Sequence, residues 1–175
     1  MPNRGDLDLP LAWDSYFLSI AKAVALKSKD PSTQVGAVLV NDDRLVIATG
    51  FNGLARSLYD DTVLLANSRE KLKWVCHAEQ NAVINAARVG VSLLKSTLYV
   101  TRFPCFSCCN VIVQAGVRRV YTEDKQYWDH DPLDPLHEGK RYVLQQSGLC
   151  VDAPNHPDFA STRPPALTPD SNSKK

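Results

Sequence analysis

The chain has 175 residues, a formal net charge of +1 and 44% hydrophobic residues. This length and composition are typical of one globular domain that buries a full core, and the near-neutral charge gives no indication of a long nucleic-acid-binding surface. We also expect no signal peptide and no membrane span. Because five cysteines do not make an even disulfide framework, we predict a cytoplasmic protein.

The first half of the chain predicts a helix followed by a hairpin. Apolar residues recur at helical spacing from Trp13 to Val24, and a proline-containing turn ends that pattern. Two short β-branched runs then surround a polar turn. In chain order, the predicted elements are a helix over about 14–27, a turn at 29–33, strands at 35–40 and 45–49 around a turn at 41–43, a loop at 50–53 and an insertion at 54–73.

The second half predicts helices and strands in alternation. Glycines close the helices, because glycine adopts the left-handed conformation that follows a helix end. The predicted elements are a helix at 77–89 before Gly90, a strand at 97–101, a helix at 106–115 before Gly116, a strand at 117–122, a helix over about 136–146 that ends at Gly148, and a strand at 149–151. We therefore predict one domain over 1–152. Residues 153–175, which are rich in Pro, Ser and Asp, predict a disordered tail.

Two short motifs supply the ligands of a metal site. His77 precedes Glu79 by two residues, and Cys105 and Cys108 form a Cys-x-x-Cys pair after Pro104. A structural zinc normally has four protein ligands, whereas a catalytic zinc has three and keeps one position for water. His77, Cys105 and Cys108 make three, so the motifs predict a catalytic Zn²⁺ site.

Glu79 is the predicted proton carrier of this site. Zinc held by two thiolates and one imidazole acidifies water, and a carboxylate that does not bind the metal can move the protons. This pattern is the known signature of zinc nucleobase deaminases. The alternative is a structural zinc or simply buried cysteines, and Cys76 and Cys109, which flank the ligands, are expected to point away from the metal.

The chain resembles the deoxycytidylate (dCMP) deaminase family of the cytidine deaminase superfamily over roughly residues 13–152. The resemblance is carried by Ser28–Ala37, Gly50–Gly53, Cys76–Ala82 and Thr97–Val100 before Pro104. It implies an α/β, cytidine deaminase-like three-layer fold with a mixed five-stranded sheet flanked by helices. The implied reaction is hydrolytic deamination of dCMP to dUMP and ammonia, in the supply of dTMP.

By motif position, the resemblance also implies roles around the base and sugar. Asn52 would hydrogen-bond the deoxyribose, and the Ala78 backbone amide would hold the base carbonyl. Asn52 could instead be only a turn residue, since asparagine tolerates positive φ. Tyr127 lies where an aromatic ring could stack on the base, although packing is an equal alternative.

The loop from Ser28 to Thr33 would approach the substrate phosphate. Lys29 is the main candidate cation, and exposed amides of the turn would add donors. Arg56 and Arg69, in the insertion, are further candidates whose alternative is a solvated surface.

The resemblance further implies a homo-oligomer, with a hexamer as one form, and regulation by dCTP and dTTP, with Mg²⁺ accompanying the effector. Two residues depart from the family pattern: Ser107, where many relatives are acidic, and Arg102, where an apolar residue is common. They leave open a C5-modified dCMP substrate. A tRNA adenosine, a riboflavin precursor or guanine are alternative substrates, and a catalytically inactive zinc-stabilised binding module is the alternative to an enzyme.

Overall fold

The computed structural model describes residues 11–59, 65–124, 139, 142–144 and 146–152. The predicted tail at 153–175 and the first residues of the predicted last helix lie outside this part of the chain. The domain boundary at 152 therefore stays a prediction. Among the described residues, no helix has both the length and the apolar character needed to cross a membrane.

Four helices and seven strands have defined bounds within the described residues. The helices are α1 (Trp13–Ala25), α2 (Ser68–Trp74), α3 (Ala78–Arg88) and α4 (Phe106–Gln114). The strands are β1 (Gly36–Val40), β2 (Val46–Phe51), β3 (Gly53–Leu54), β4 (Val75–Cys76), β5 (Thr97–Val100), β6 (Arg119–Tyr121) and β7 (Cys150–Asp152). Residues 142–144 and 146–147 are also helical, and Gly148 ends this segment with a φ of 67°.

The main sheet has five strands in the order β2-β1-β5-β6-β7. β1 runs antiparallel to β2 and β5, whereas β5, β6 and β7 are parallel. Side chains of β1 alternate between two cores, with Ala37 and Leu39 packed toward α3 and α4, and Val38 and Val40 packed toward α1. The predicted mixed sheet flanked by helices is therefore confirmed.

Several predicted boundaries shift by a few residues. α1 ends at Ala25 instead of residue 27, because the amides of Leu26 and Lys27 bond to carbonyls three residues earlier and tighten the last turn. β2 continues to Phe51, through part of the predicted loop, because its last residues still pair with the start of β1. The insertion includes most of α2, and the short antiparallel pair β3–β4 joins the segments at its two ends. The sequence predicted neither feature.

Arg119 ties α1 to the sheet. Its guanidinium donates to both carboxylate oxygens of Asp14 at 2.7 and 2.9 Å, and to Asp152 at 2.5 Å. The hydrogen bond from Arg119 outweighs burial and, with a further bond from Tyr99, holds the pKa of Asp14 below its usual value of 3.8. This cluster joins α1, β5, β6 and β7 on one side of the molecule.

Gly50 allows α3 to lie directly against β2. A Cβ atom at this position would lie 2.3 Å from the Ala78 carbonyl oxygen and 2.3 Å from the Ala82 nitrogen. Both contacts are with backbone, which cannot rotate away as a side chain can. Since Ala78 is the first residue of α3, the absence of a side chain at Gly50 sets how closely the start of that helix approaches the sheet.

Replacing Gly50 with alanine should therefore displace α3. We expect Gly50→Ala to lower the free energy of unfolding by about 1–3 kcal/mol, the usual cost of overpacking, and to weaken zinc binding. Gly53→Ala is the matched control, because its Cβ would meet only the Phe51 ring at 3.9 Å. Denaturant unfolding and zinc titration of both variants test this, and equal effects at the two glycines would contradict it.

Candidate active site

Three potential metal ligands converge at the starts of two helices. His77 lies between β4 and α3 and is the N-cap residue of α3. Cys105 is the N-cap residue of α4, and Cys108 lies in the first turn of that helix. The positive ends of both helix dipoles therefore point toward the cluster and favour thiolates.

The ligand atoms have the spacing of a zinc site. Both cysteine sulfurs lie 3.4 Å from Nδ1 of His77, and the three ligand atoms all lie within 4.8 Å of one another. A tetrahedral zinc with ordinary bond lengths separates a nitrogen ligand from a sulfur ligand by about 3.5 Å. The geometry and the chemistry of the donors thus fit Zn²⁺ with three protein ligands.

The electrostatics of the cluster favour the protonation state that binds metal at Cys105. A hydrogen bond from the Cys108 side chain, together with one from His77, lowers the pKa of Cys105 to about 4 despite burial. The hydrogen bond with Cys105 in turn raises the pKa of His77. Zinc binding must release the protons that remain, as it does in other thiolate sites.

Glu79 lies beside the ligands in the first turn of α3 and is only 4% exposed. Burial raises the pKa of its carboxyl to about 7, although its own backbone amide and the nearby His77 oppose the shift. A carboxyl group with a pKa near neutrality can both accept and donate a proton. The structure thus places a carboxyl group that is suited to proton transfer next to the candidate metal ligands.

A cavity of about 230 Å³ opens in front of this cluster, and we call it the active-site cavity. A cavity of this volume can hold a small molecule but is too small for a folded nucleic acid. Its walls come from the 28–33 loop, the residue between β2 and β3, α2, β4, the start of α3 and the segment before α4. The lining residues are Asp30, Thr33, Val35, Asn52, Lys71, Leu72, Val75, His77, Ala78, Glu79, Arg102, Phe103 and Cys105.

Asn52 joins the wall of the active-site cavity to the 28–33 loop. Its Nδ2 donates to the Thr33 carbonyl and its Oδ1 accepts from the Val35 amide, both at 2.8 Å. The Ser28 hydroxyl donates to the Asn52 carbonyl at 2.8 Å. Asn52 therefore holds the loop in place, and its amide retains one N–H that these bonds do not use.

The structure does not bring the predicted phosphate ligands together in one cavity. Thr33 lines the active-site cavity, whereas Ser28 is buried behind it. Lys29 is exposed and lines a different cavity. The turn amides of Ser32 and Thr33, which we expected to face the ligand, donate to the Asp30 carboxylate at 2.9 and 3.0 Å.

Two further predicted residues fall at or beyond the limits of the described structure. Tyr127 lies outside the described residues, so its role stays a prediction. Arg69 belongs to α2, but its side chain lies outside the described part of the structure.

Lys71 is a residue of the active-site cavity that the sequence analysis missed. It lies on α2 and donates to both carboxylate oxygens of Asp30, at 2.9 and 2.8 Å. Lys71 belongs to a polar stretch of the insertion, where a lysine is ordinarily solvated. No local motif distinguishes it from its neighbour Lys73, which forms a surface pair with Glu70.

A second cavity of about 600 Å³ lies against α3 and the end of β2, and we call it the basic cavity. Four cations line it, and no acidic residue is among its described lining residues. Those cations are Lys27, Lys29, Arg56 and Arg88. Phe51 and Gly53 line the basic cavity while Asn52 lines the active-site cavity, so successive residues of one segment face the two cavities.

Comparison with known proteins agrees with this site. The family model "Cytidine and deoxycytidylate deaminase zinc-binding region" matches residues 11–123. A Drosophila melanogaster protein named "Probable deoxycytidylate deaminase" is 33% identical over 166 residues, which cover 85% of this chain and 81% of that protein. The Homo sapiens protein named "Deoxycytidylate deaminase" is 36% identical over 126 residues, which cover 69% of this chain and 70% of that protein.

A solved structure has the same fold. The crystal structure of dCMP deaminase from the cyanophage S-TIM5, in complex with dCMP and dUMP, aligns with a TM-score of 0.62 at 27% identity. The alignment covers 83% of this chain and 99% of that chain.

The three-layer fold and the His-Cys-Cys site together define a zinc-dependent deaminase of the cytidine deaminase fold. Within that class, the chain belongs to the cytidine and deoxycytidylate deaminase family. The predicted resemblance, fold and enzyme class are therefore confirmed, and Zn²⁺ is the metal that this family and this donor set support.

The ligand assignment predicts which cysteines zinc requires. Cys105→Ala should reduce bound zinc from about one ion per chain to a small fraction, because two protein ligands hold zinc poorly. Cys76→Ala is the matched control, since Cys76 is adjacent to His77 in the sequence but lines the basic cavity. Zinc is measured by mass spectrometry after dialysis, and full zinc content in Cys105→Ala would refute the assignment.

Proposed function

We propose that this protein catalyses hydrolytic deamination of dCMP to dUMP and ammonia, and so supplies the precursor of dTMP. The observation that carries the proposal is the buried Glu79 beside three residues that can hold zinc, in the lining of a small cavity. Support also comes from the relatives, which are named deoxycytidylate deaminases, and from the S-TIM5 enzyme, whose structure holds dCMP and dUMP.

The chemistry follows from the position of Glu79. When bound by His77, Cys105 and Cys108, zinc supplies the Lewis acidity that acidifies water at neutral pH. The Glu79 carboxylate takes a proton from water and delivers it to the ring nitrogen next to C4. As the oxygen of water bonds to C4 and the C4–N bond breaks, Glu79 passes the second proton to the leaving amino group, which departs as ammonia.

The walls of the active-site cavity provide substrate contacts. Ala78 is the first residue of α3, and the first amides of a helix have no partner within it, so this amide suits the base carbonyl. The N–H that Asn52 retains suits a hydroxyl of the deoxyribose. Thr33 lies on the same wall, where the nucleotide would extend away from the cluster.

The basic cavity is the proposed effector site. We assign Lys29 to this site because it lines the basic cavity together with Lys27, Arg56 and Arg88. Four cations and a volume of about 600 Å³ suit a nucleoside triphosphate such as dCTP or dTTP, with Mg²⁺ on its phosphates. The proposal also includes a homo-oligomer, with a hexamer as one form, and a cytoplasmic location.

Removing the proton carrier tests the reaction itself. Glu79→Gln keeps the shape of the side chain but cannot accept a proton, so we expect ammonia release from dCMP to fall by about 10²-fold or more. Zinc content and thermal stability should be unchanged. Glu70→Gln, on the surface of α2, is the control and should retain full activity. Equal turnover by wild-type protein and Glu79→Gln would exclude the assigned role, and an inactive wild-type protein with bound zinc would favour the binding module.

The effector site predicts a charge-dependent affinity. The double variant Arg56→Gln/Arg88→Gln should bind dCTP in the presence of Mg²⁺ at least about tenfold more weakly, because it loses two charge-assisted contacts. Arg118→Gln is the control, since Arg118 is exposed and lines neither cavity. Calorimetric titration measures both, and unchanged dCTP affinity in the double variant would remove the basic cavity from the proposal.

A further inference from the structure

A buried ion pair joins the insertion to the active-site cavity. The side chains of Lys71 and Asp30 are only 10% and 3% exposed, and their closest charged atoms are 2.8 Å apart. Lys71 also donates to the Ser32 hydroxyl. A buried ion pair adds little net stability over a well-packed apolar pair, because both charges lose their hydration. Its position in the wall of the cavity indicates a role in ligand binding.

Asp30 connects Lys71 by hydrogen bonds to the residues that face the ligand. Oδ1 of Asp30 accepts from the amides of Ser32 and Thr33 at 2.9 and 3.0 Å. The Thr33 carbonyl in turn accepts from Nδ2 of Asn52 at 2.8 Å. Hydrogen bonds therefore run from α2, through the 28–33 loop, to the wall of the active-site cavity.

The negative charge of Asp30 would oppose phosphate binding unless a nearby positive charge compensates it. The phosphate of a nucleoside monophosphate carries a charge of about −1.5 to −2 near pH 7. An uncompensated carboxylate in the wall of the same cavity would repel that phosphate, because partly buried charges are screened less than charges in open solvent. Lys71 cancels the charge of Asp30 while leaving its two amide bonds intact.

We propose that Lys71 is a positioning and charge-compensating residue that lets the active-site cavity accept the phosphate of a nucleotide. The proposal rests on the proposed function, in which the substrate carries a phosphate. Lys71 acts through Asp30 and does not touch the reacting atoms. It therefore affects the KM for dCMP, while kcat depends on zinc and Glu79.

The two members of the pair should have opposite effects when they are changed singly. Lys71→Met leaves Asp30 as an uncompensated anion, and we expect the KM for dCMP to rise at least about tenfold with kcat within about threefold of wild type. Asp30→Asn retains Oδ1 and its two amide bonds but leaves Lys71 as a net cation. The KM for dCMP should then be unchanged or lower.

The remaining variants separate charge from simple support of the loop. The double variant Asp30→Asn/Lys71→Met is neutral and should have a KM closer to wild type than Lys71→Met, and Lys71→Arg should also stay close to wild type. Lys73→Met is the matched control on the same helix, because Lys73 pairs with Glu70 at the surface. Zinc content and circular dichroism of every variant report on folding.

Steady-state kinetics with zinc-loaded protein and dCMP decide the proposal. If Lys71 served only to support the loop, both single variants would raise the KM alike and the double variant would be no better than either, which would overturn the proposal. If Lys71→Met does not fold, Asp30→Asn remains decisive, because a raised KM in that variant contradicts charge compensation. Failure of the wild-type protein to release ammonia from dCMP would instead count against the proposed function.

Discussion

The convergence of two helix N-termini on three ligand atoms is the constraint on which the site depends. His77 begins α3 and Cys105 begins α4, so the position of the zinc site is set by how these helices pack against the sheet. Gly50 permits the close approach of α3 to β2. Because Glu79 is in the first turn of α3, the same packing that forms the metal site also buries the proposed proton carrier beside it. The first turn of α3 therefore links the packing of the fold to the chemistry of the site.

A second feature of the structure is that two cavities share the segment between β2 and β3. Asn52 faces the active-site cavity, whereas its neighbours Phe51 and Gly53 face the basic cavity. Asn81 strengthens this arrangement, because its side chain on α3 donates to the Phe51 carbonyl at 2.8 Å. A ligand in the basic cavity that moves this segment would necessarily move Asn52. Such a shared wall gives an effector a physical means of favouring one state of the active site.

The sequence predicted the metal ligands and the positions of the main-sheet strands along the chain because both depend on local patterns. The ligands occur in short motifs with fixed spacing, and the strands of the main sheet are apolar runs between turns. The Lys71–Asp30 pair could not be predicted in this way, since its members are 41 residues apart and neither belongs to a motif with a known partner. For Lys29, proximity to the predicted phosphate loop in sequence also did not reveal that its side chain lines the basic cavity. Pairing of β3 with β4 was likewise missed, as strands of two residues carry too little pattern to detect.

The central claim is that this protein deaminates a free deoxyribonucleotide, and one substrate comparison tests it most directly. Ammonia release from zinc-loaded protein would be measured with dCMP, CMP, deoxycytidine, 5-methyl-dCMP and an adenosine-containing tRNA hairpin. Selective turnover of dCMP is the predicted result, because the active-site cavity is small and the proposed charge compensation of Asp30 by Lys71 would let its wall accept a phosphate. Turnover of the hairpin with no activity toward dCMP would contradict the claim, although it would leave the zinc chemistry and the role of Glu79 in place.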